Sequence, residues 1–182
     1  MFITHTNKYL HLSKLISSFS RIGILISLLL FISGSIHCQY KMYYPYGYTI
    51  KAKVARVIDG DTFVLSDSQR VRMLGIDTPE LARNSKPAEL YSDSAKVLTK
   101  QLIDGKIIKL TFDGKSFDIF GRVLAYVWLT NKAGKDSIFV QAELLKKGYA
   151  RIRYYPKGKR YYEIFYNLRR TAMKKNLGIW SK

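Results

Sequence analysis

Between Val57 and Glu80 the chain reads V-I-D-G-D-T-F-V-L-S-D-S-Q-R-V-R-M-L-G-I-D-T-P-E, a strand hairpin with acidic side chains at both ends and an arginine inside it. Period-2 runs predict strands at 51–58, 62–66 and 70–76, joined by tight turns at Asp59-Gly60 and around Asp67-Ser68. Tyr91, Ala95, Leu98 and Leu102 then recur with helical spacing, with Ser92 as N-cap and Gly105 as terminator. Residues 107–112 and 123–129 read as strands four and five. A second helix is expected from Val140 to Lys147, stopping at Gly148, and a third over 160–176 with Tyr161, Phe165, Leu168 and Ala172 on one face. Three strands, a helix, two strands and then helices predict a mainly β, α+β domain: a five-stranded OB-like β-barrel with about three helices.

The acidic positions carry different weights. Asp59-Gly60 between two strands is a type I′ hairpin signal, and that alone explains it. Asp61 has no such excuse, because a second carboxylate beside the first costs repulsion unless a cation offsets it. Asp77-Thr78-Pro79-Glu80 reads equally well as a plain turn with Asp77 bonding its own backbone. Arg72 lies in V-R-M-L-G-I and Arg122 in G-R-V-L, stretches that are apolar on both faces of a strand. A desolvated guanidinium needs an anion, and its planar fork suits phosphate or carboxylate. Two internal arginine–carboxylate pairs are the alternative to a phosphate site.

All three histidines (His5, His11, His37) and the single cysteine, Cys38, precede residue 39. Zinc chemistry and catalysis by Ser-His or Cys-His pairs are therefore excluded for the remainder. Oxygen-only donors select calcium, magnesium or manganese.

Lys8, Lys14 and Arg21 precede an apolar run of eleven residues, Ile22–Ile32, and small residues follow it. This predicts a signal peptide over 1–38, since a membrane span needs about 20 apolar residues. An uncleaved anchor and a lipidated Cys38 are the alternatives, and they are the only membrane attachments the sequence offers. A secreted or extracytoplasmic protein is expected. The whole chain carries +18, and the leader holds three of its cations and no acid, so +15 remains. Such an excess attracts a polyanion. The tyrosine-rich residues 39–50 read as a linker, and 51–182 as one domain, expected to be a monomer with no protein partner.

Four blocks together resemble the staphylococcal-type thermonuclease family: V-I-D-G-D-T at 57–62, Arg72 with G-I-D-T-P-E at 75–80, D-I-F-G-R-V-L-A-Y at 118–126, and L-G-I-W-S at 177–181. The resemblance implies a metal-dependent nuclease that hydrolyses phosphodiester bonds of DNA and RNA with little sequence preference, leaving 3′-phosphate ends, with Ca2+ as cofactor. By position it implies Asp61, Asp77 and the carbonyl of Thr78 as calcium ligands, Asp59 as their neighbour, and Glu80 as general base. Arg72 and Arg122 would grip the scissile phosphate. Tyr154 would line the nucleotide pocket. Independently of the resemblance, residues 146–155 interleave bases with aromatics, a pattern that suits backbone neutralisation and base stacking and makes Arg151, Arg153 and Tyr155 candidate substrate contacts. A noncatalytic nucleic-acid-binding barrel is the competing reading. The chain departs from the family pattern in a shortened 81–90 loop, a shorter segment after Tyr154, and Ser94 at the start of the first helix.

Overall fold

The computed structural model of the chain describes residues 44–181 apart from Lys115 and Lys157. The expected leader, and residues 39–43 of the expected linker, lie outside the described residues. Residues 44–50 pack on the domain: Tyr44 is buried, its ring stacks on Phe112 at 4.0 Å, and its backbone N–H donates to Ser116 Oγ at 2.7 Å. The ordered domain thus reaches further toward the N-terminus than residue 51.

The strands are β1 (Thr49–Val57), β2 (Thr62–Leu65), β3 (Arg70–Met73), β4 (Ile76–Asp77), β5 (Ile107–Thr111), β6 (Val123–Thr130), β7 (Asp136–Phe139) and β8 (Arg151–Ile152). The helices are α1 (Ser92–Ile103), α2 (Val140–Lys146) and α3 (Tyr162–Lys174), followed by a 3₁₀ turn at Gly178–Trp180. Antiparallel pairing runs β3-β2-β1-β5-β6, and β3 closes back on β6 in parallel, Val71 opposite Val123 and Met73 opposite Ala125. This is a closed five-stranded barrel with three helices around it, as the sequence predicts. Closure leaves the barrel strands without a free edge. Phe63, Val71, Met73, Ile108, Leu110, Leu124 and Tyr126 are fully buried in the core.

The predicted third strand breaks after Met73. Leu74 and Gly75 turn the chain, and β4 leaves the barrel to pair with β8, Asp77 opposite Arg151. Both two-residue strands are too short to give a periodic signal. β7, which extends the sheet beyond β6, was not predicted either: its exposed Asp136 and Ser137 mask the alternation.

Gly105 and Gly148 end α1 and α2 in the left-handed conformation, as expected. Ser92 does not cap α1. It is the first helical residue and is buried, while Tyr91 holds the cap position at φ 69° with no side-chain cap bond. Tyr91 instead reaches Ser181, its hydroxyl 2.9 Å from Oγ, and stacks on Tyr149. The long-range anchor of the C-terminus has displaced the local cap. The inner face of α3 is the predicted one, with Phe165 and Ala172 buried and Tyr161 and Leu168 packed partly on the core.

Candidate active site

The β1–β2 turn is not type I′, since neither Asp59 nor Gly60 has a positive φ. Asp59 and Gly60 are fixed by contacts instead. The Asp59 carboxylate accepts the Asp61 N–H at 3.2 Å, an Asx-type bond that folds the turn on itself. Gly60 lies against α1 and the Thr78 turn: a Cβ there would sit 2.7 Å from both Ala95 Cβ and Thr78 Oγ1. Thr99 Oγ1 donates to the Gly60 carbonyl at 2.7 Å. Close packing, and not backbone handedness, requires the glycine.

The turn so held delivers Asp61 to the interior. Asp61 Oδ1 accepts from the Thr62 hydroxyl at 3.0 Å and Oδ2 from the Thr78 N–H at 2.9 Å. Thr62 is also the register partner of Arg72 across β2–β3, which brings guanidinium and carboxylate together. Arg72 forms ion pairs with both Asp61 and Asp77, Nη1 toward the first and Nη2 toward the second. β3 is covered on both faces, with Val71, Arg72 and Met73 all buried. Arg72 Nη1, for all its proximity to Asp61, makes no aligned hydrogen bond.

Burial pushes the Asp61 carboxyl up to about 6; the Arg72 guanidinium pulls against that, and the neighbouring Asp59 adds to it. Two carboxylates thus converge on one guanidinium, with Arg153 a second cation on Asp77 and Arg83 a cation on Asp59.

Arg122 enters from the β6 side. Its Nε donates to Asp118 at 2.7 Å and its Nη1 lies 3.5 Å from Thr62 Oγ1, so it joins the network one hydroxyl away from Asp61. Asp118 also accepts the N–H groups of Phe120 and Arg122, which closes the 118–122 turn. Glu80 stands at the rim, exposed, 3.7 Å from Arg83. Arg153 donates to Asp77 at 3.2 Å. Arg151 is exposed and lies 3.5 Å from Glu89, Tyr155 is half-buried against the core, and Tyr154 is 58% exposed. Of the residues singled out by sequence, Asp59, Asp61, Arg72, Asp77 and Thr78 form one connected cluster, and Glu80, Arg122 and Arg153 border it; the side chains of Arg151, Tyr154 and Tyr155 contact Glu89, Tyr162 and Arg153 instead.

Arg83 was missed. It donates to Asp59 at 3.0 Å and bridges toward Glu80, held by the Arg83–Lys86 backbone bonds of its loop. No periodicity or motif marks it.

Among the described residues no group of three or more His, Cys, Asp or Glu side chains is arranged around one point. The donors that do converge, Asp61 and Asp77, are hard oxygens separated by a single guanidinium. That set fits a hard divalent cation completed by water and substrate oxygens, and does not fit zinc or copper.

The fold and site define a closed OB-like barrel with a partly buried cluster of arginine–carboxylate pairs. The profile described as "Staphylococcal nuclease homologue" matches residues 70–182. The chain is 36% identical over 132 residues to the thermonucleases of Staphylococcus intermedius and Staphylococcus hyicus, covering 71% of this chain and 75% of each relative. It is also 35% identical over 138 residues to endonuclease YncB of Bacillus subtilis, covering 73% of this chain and 63% of that one. The chain belongs to the staphylococcal nuclease family.

Proposed function

We propose that the protein is an exported, calcium-dependent nuclease that hydrolyses DNA and RNA with low sequence selectivity and leaves 3′-phosphate ends. The observation that carries this reading is the single network Arg122–Thr62–Asp61–Arg72–Asp77, in which two arginines meet a buried carboxylate, Asp61, and a part-exposed one, Asp77, with Arg72 between the two.

A phosphodiester resists attack because the nucleophile meets an anion. Asp61, Asp77 and the Thr78 carbonyl would hold the calcium ion, which when bound polarises the phosphate and acidifies its water. Arg72 and Arg122 donate charge-assisted hydrogen bonds to the phosphate oxygens, bonds that strengthen as charge builds on them in the transition state. Glu80 accepts the proton of the attacking water; Arg83, 3.7 Å away, orients it. Asp59 and Thr62 keep Asp61 in position. Arg153 lies within reach of the same phosphate chain through its contact with Asp77.

The Ile22–Ile32 segment supports export, and the mature N-terminus is expected between Ile36 and Tyr40. The deciding experiment incubates the purified protein with single-stranded DNA and with RNA, with calcium or with EDTA, and analyses the ends produced. Calcium-dependent cleavage with 3′-phosphate ends supports the reading. Binding without cleavage in calcium selects the noncatalytic barrel instead.

A further inference from the structure

One flank of α3 carries partly exposed aromatics set among cations. Its inner residues, Phe165 and Ala172, are buried as an amphipathic helix requires. On the flank beside them, three residues before Phe165 and one after it, Tyr162 and Tyr166 are partly open to solvent, 39% and 37% exposed. Large aromatics left exposed beside one another need a reason, because burying each would release a large apolar area from water. Their rings lie 6.4 Å apart and nearly parallel, at 28°. Tyr162 in turn meets Tyr154 edge-on at 6.3 Å. Cations flank the row: Lys159 over Tyr154 at 5.4 Å, and Arg169 and Arg170 over Tyr166 at 5.1 and 5.9 Å.

The row starts next to the site in sequence. Arg153 touches Asp77, Tyr154 is the following residue, and from Tyr154 ring contacts lead to Tyr162 and Tyr166 and a cation–ring contact to Arg170. Helix geometry gives its α3 portion alone, from Tyr162 to Lys174, a length of about 18 Å. Alternating π-faces and fixed positive charge, on a chain of net charge +18, is the makeup of a surface that stacks bases and neutralises phosphates.

We propose that the flank of α3 formed by Tyr162, Tyr166 and Arg170 is a secondary binding track for a single-stranded polynucleotide whose cleaved bond lies at the Asp61–Asp77 site. The proposal rests on the nuclease reading for the position of the strand, and on the exposed aromatics for its existence. The track gives the protein a preference for long strands over short ones, because a dinucleotide at the carboxylates cannot reach α3.

The test uses the full-length protein in EDTA, with strand integrity checked on a gel. Fluorescence anisotropy then follows a labelled thymidylate of about 16 nucleotides, within the span of an OB-type site, and a labelled dinucleotide. The Tyr162→Ala/Tyr166→Ala variant is expected to bind the long strand at least about tenfold more weakly, since stacking is worth roughly 1–3 kcal/mol per base, with dinucleotide binding unchanged. Tyr162→Phe/Tyr166→Phe keeps the rings and is expected to bind like the wild type, which separates stacking from the loss of a hydroxyl. Arg170→Gln is expected to lower the salt dependence of long-strand binding by about 0.7 in log–log slope, one phosphate contact. Equal losses on both probes, or no loss on either, overturn the track. So does a loss confined to vesicles of phosphatidylglycerol, which would make the face a membrane contact. Cleavage assays on the same variants keep the two readings apart: a wild type that cleaves nothing but shows the length-dependent loss retains the track and loses the nuclease, and an active enzyme without that loss does the reverse.

Discussion

Asp61 and Arg72 face each other across one hairpin, Asp61 in the turn before β2 and Arg72 in β3, and their side chains are only 7% and 4% exposed. The Met73 N–H donates to the Asp61 carbonyl at 2.8 Å, which ties the two strands together at the point where the charges meet. Arg72 serves Asp77 as well, so one buried cation offsets two acids drawn from separate turns. Removing one partner of such a buried set leaves the other charges uncompensated, a loss of about 3–5 kcal/mol. Arg72→Ala is therefore expected to lower the unfolding free energy by that order in EDTA, as read by urea denaturation. Calcium should recover part of the loss, because it replaces the missing positive charge, while turnover stays down by roughly 10³-fold or more.

Arg122 should behave differently. It is 27% exposed and its Asp118 partner belongs to its own turn, an i,i+4 pair. Pairs of that kind contribute about 0–1 kcal/mol. Arg122→Ala is expected to fold with near wild-type stability, bind DNA through its many remaining phosphate contacts, and lose roughly 10³-fold in turnover. Activity within tenfold of wild type would assign Arg122 to holding the 118–122 turn only.

The Asp61 carboxyl sets a pH dependence. Its folded-state value of about 6 lies above the ordinary 3.8, chiefly because burial penalises the charged form. The contribution to folding is present below the ordinary value and is lost as pH rises through about 6. In EDTA, the difference in stability between wild type and Asp61→Asn should shift in favour of the wild type as pH falls from about 7 to 4, since only the wild type takes up that proton. Cation affinity should move the opposite way, weakening as pH drops below about 6, because the ligand must be the carboxylate. Parallel urea melts and calcium titrations across this range read both effects.

The barrel was legible because its strands are local and alternate, and Arg72 because V-R-M leaves no solvent-facing side for it. Both strand faces are in fact covered. The β4–β8 pair was not legible: two residues carry no period, and its register depends on where Gly75 turns the chain. The Ser92 cap failed for the same kind of reason, a contact from Tyr91 to Ser181 ninety residues away overriding a local preference. Arg83 sits in a loop whose backbone bonds, and not its residue types, aim it at Asp59.

Gly60 offers a test of the packing behind the site. An added Cβ would meet Ala95 Cβ and Thr78 Oγ1 at 2.7 Å and Thr78 Cβ at 2.8 Å, and α1 cannot retreat without opening its buried face of Ala95, Thr99 and Ile103. Gly60→Ala is expected to cost about 1–3 kcal/mol, the usual range for overpacking. Because Thr78 is the element that must shift, calcium affinity should fall with it. A variant with unchanged melting and unchanged calcium binding would show that the turn and α1 are not close-packed.

The metal decides between enzyme and binding module. Asp61, Asp77 and the nearby Asp59 repel one another, and in the absence of a cation they are offset by Arg72 in the interior and by the exposed Arg83 and Arg153 at the rim. Calcium is expected to stabilise the folded protein by RT ln(1 + [L]/Kd), about 2.7 kcal/mol at a hundredfold excess over Kd. Magnesium should substitute poorly, since it requires tight octahedral geometry and holds its waters, whereas calcium accepts the irregular oxygen set offered here. Asp61→Ala should remove the calcium-induced rise in melting temperature and the cleavage activity together. Nuclease activity that survives EDTA, or an Asp61→Ala protein that still binds calcium and turns over, would assign Asp61 and Asp77 to holding Arg72 in place and leave the basic surface to account for nucleic-acid binding.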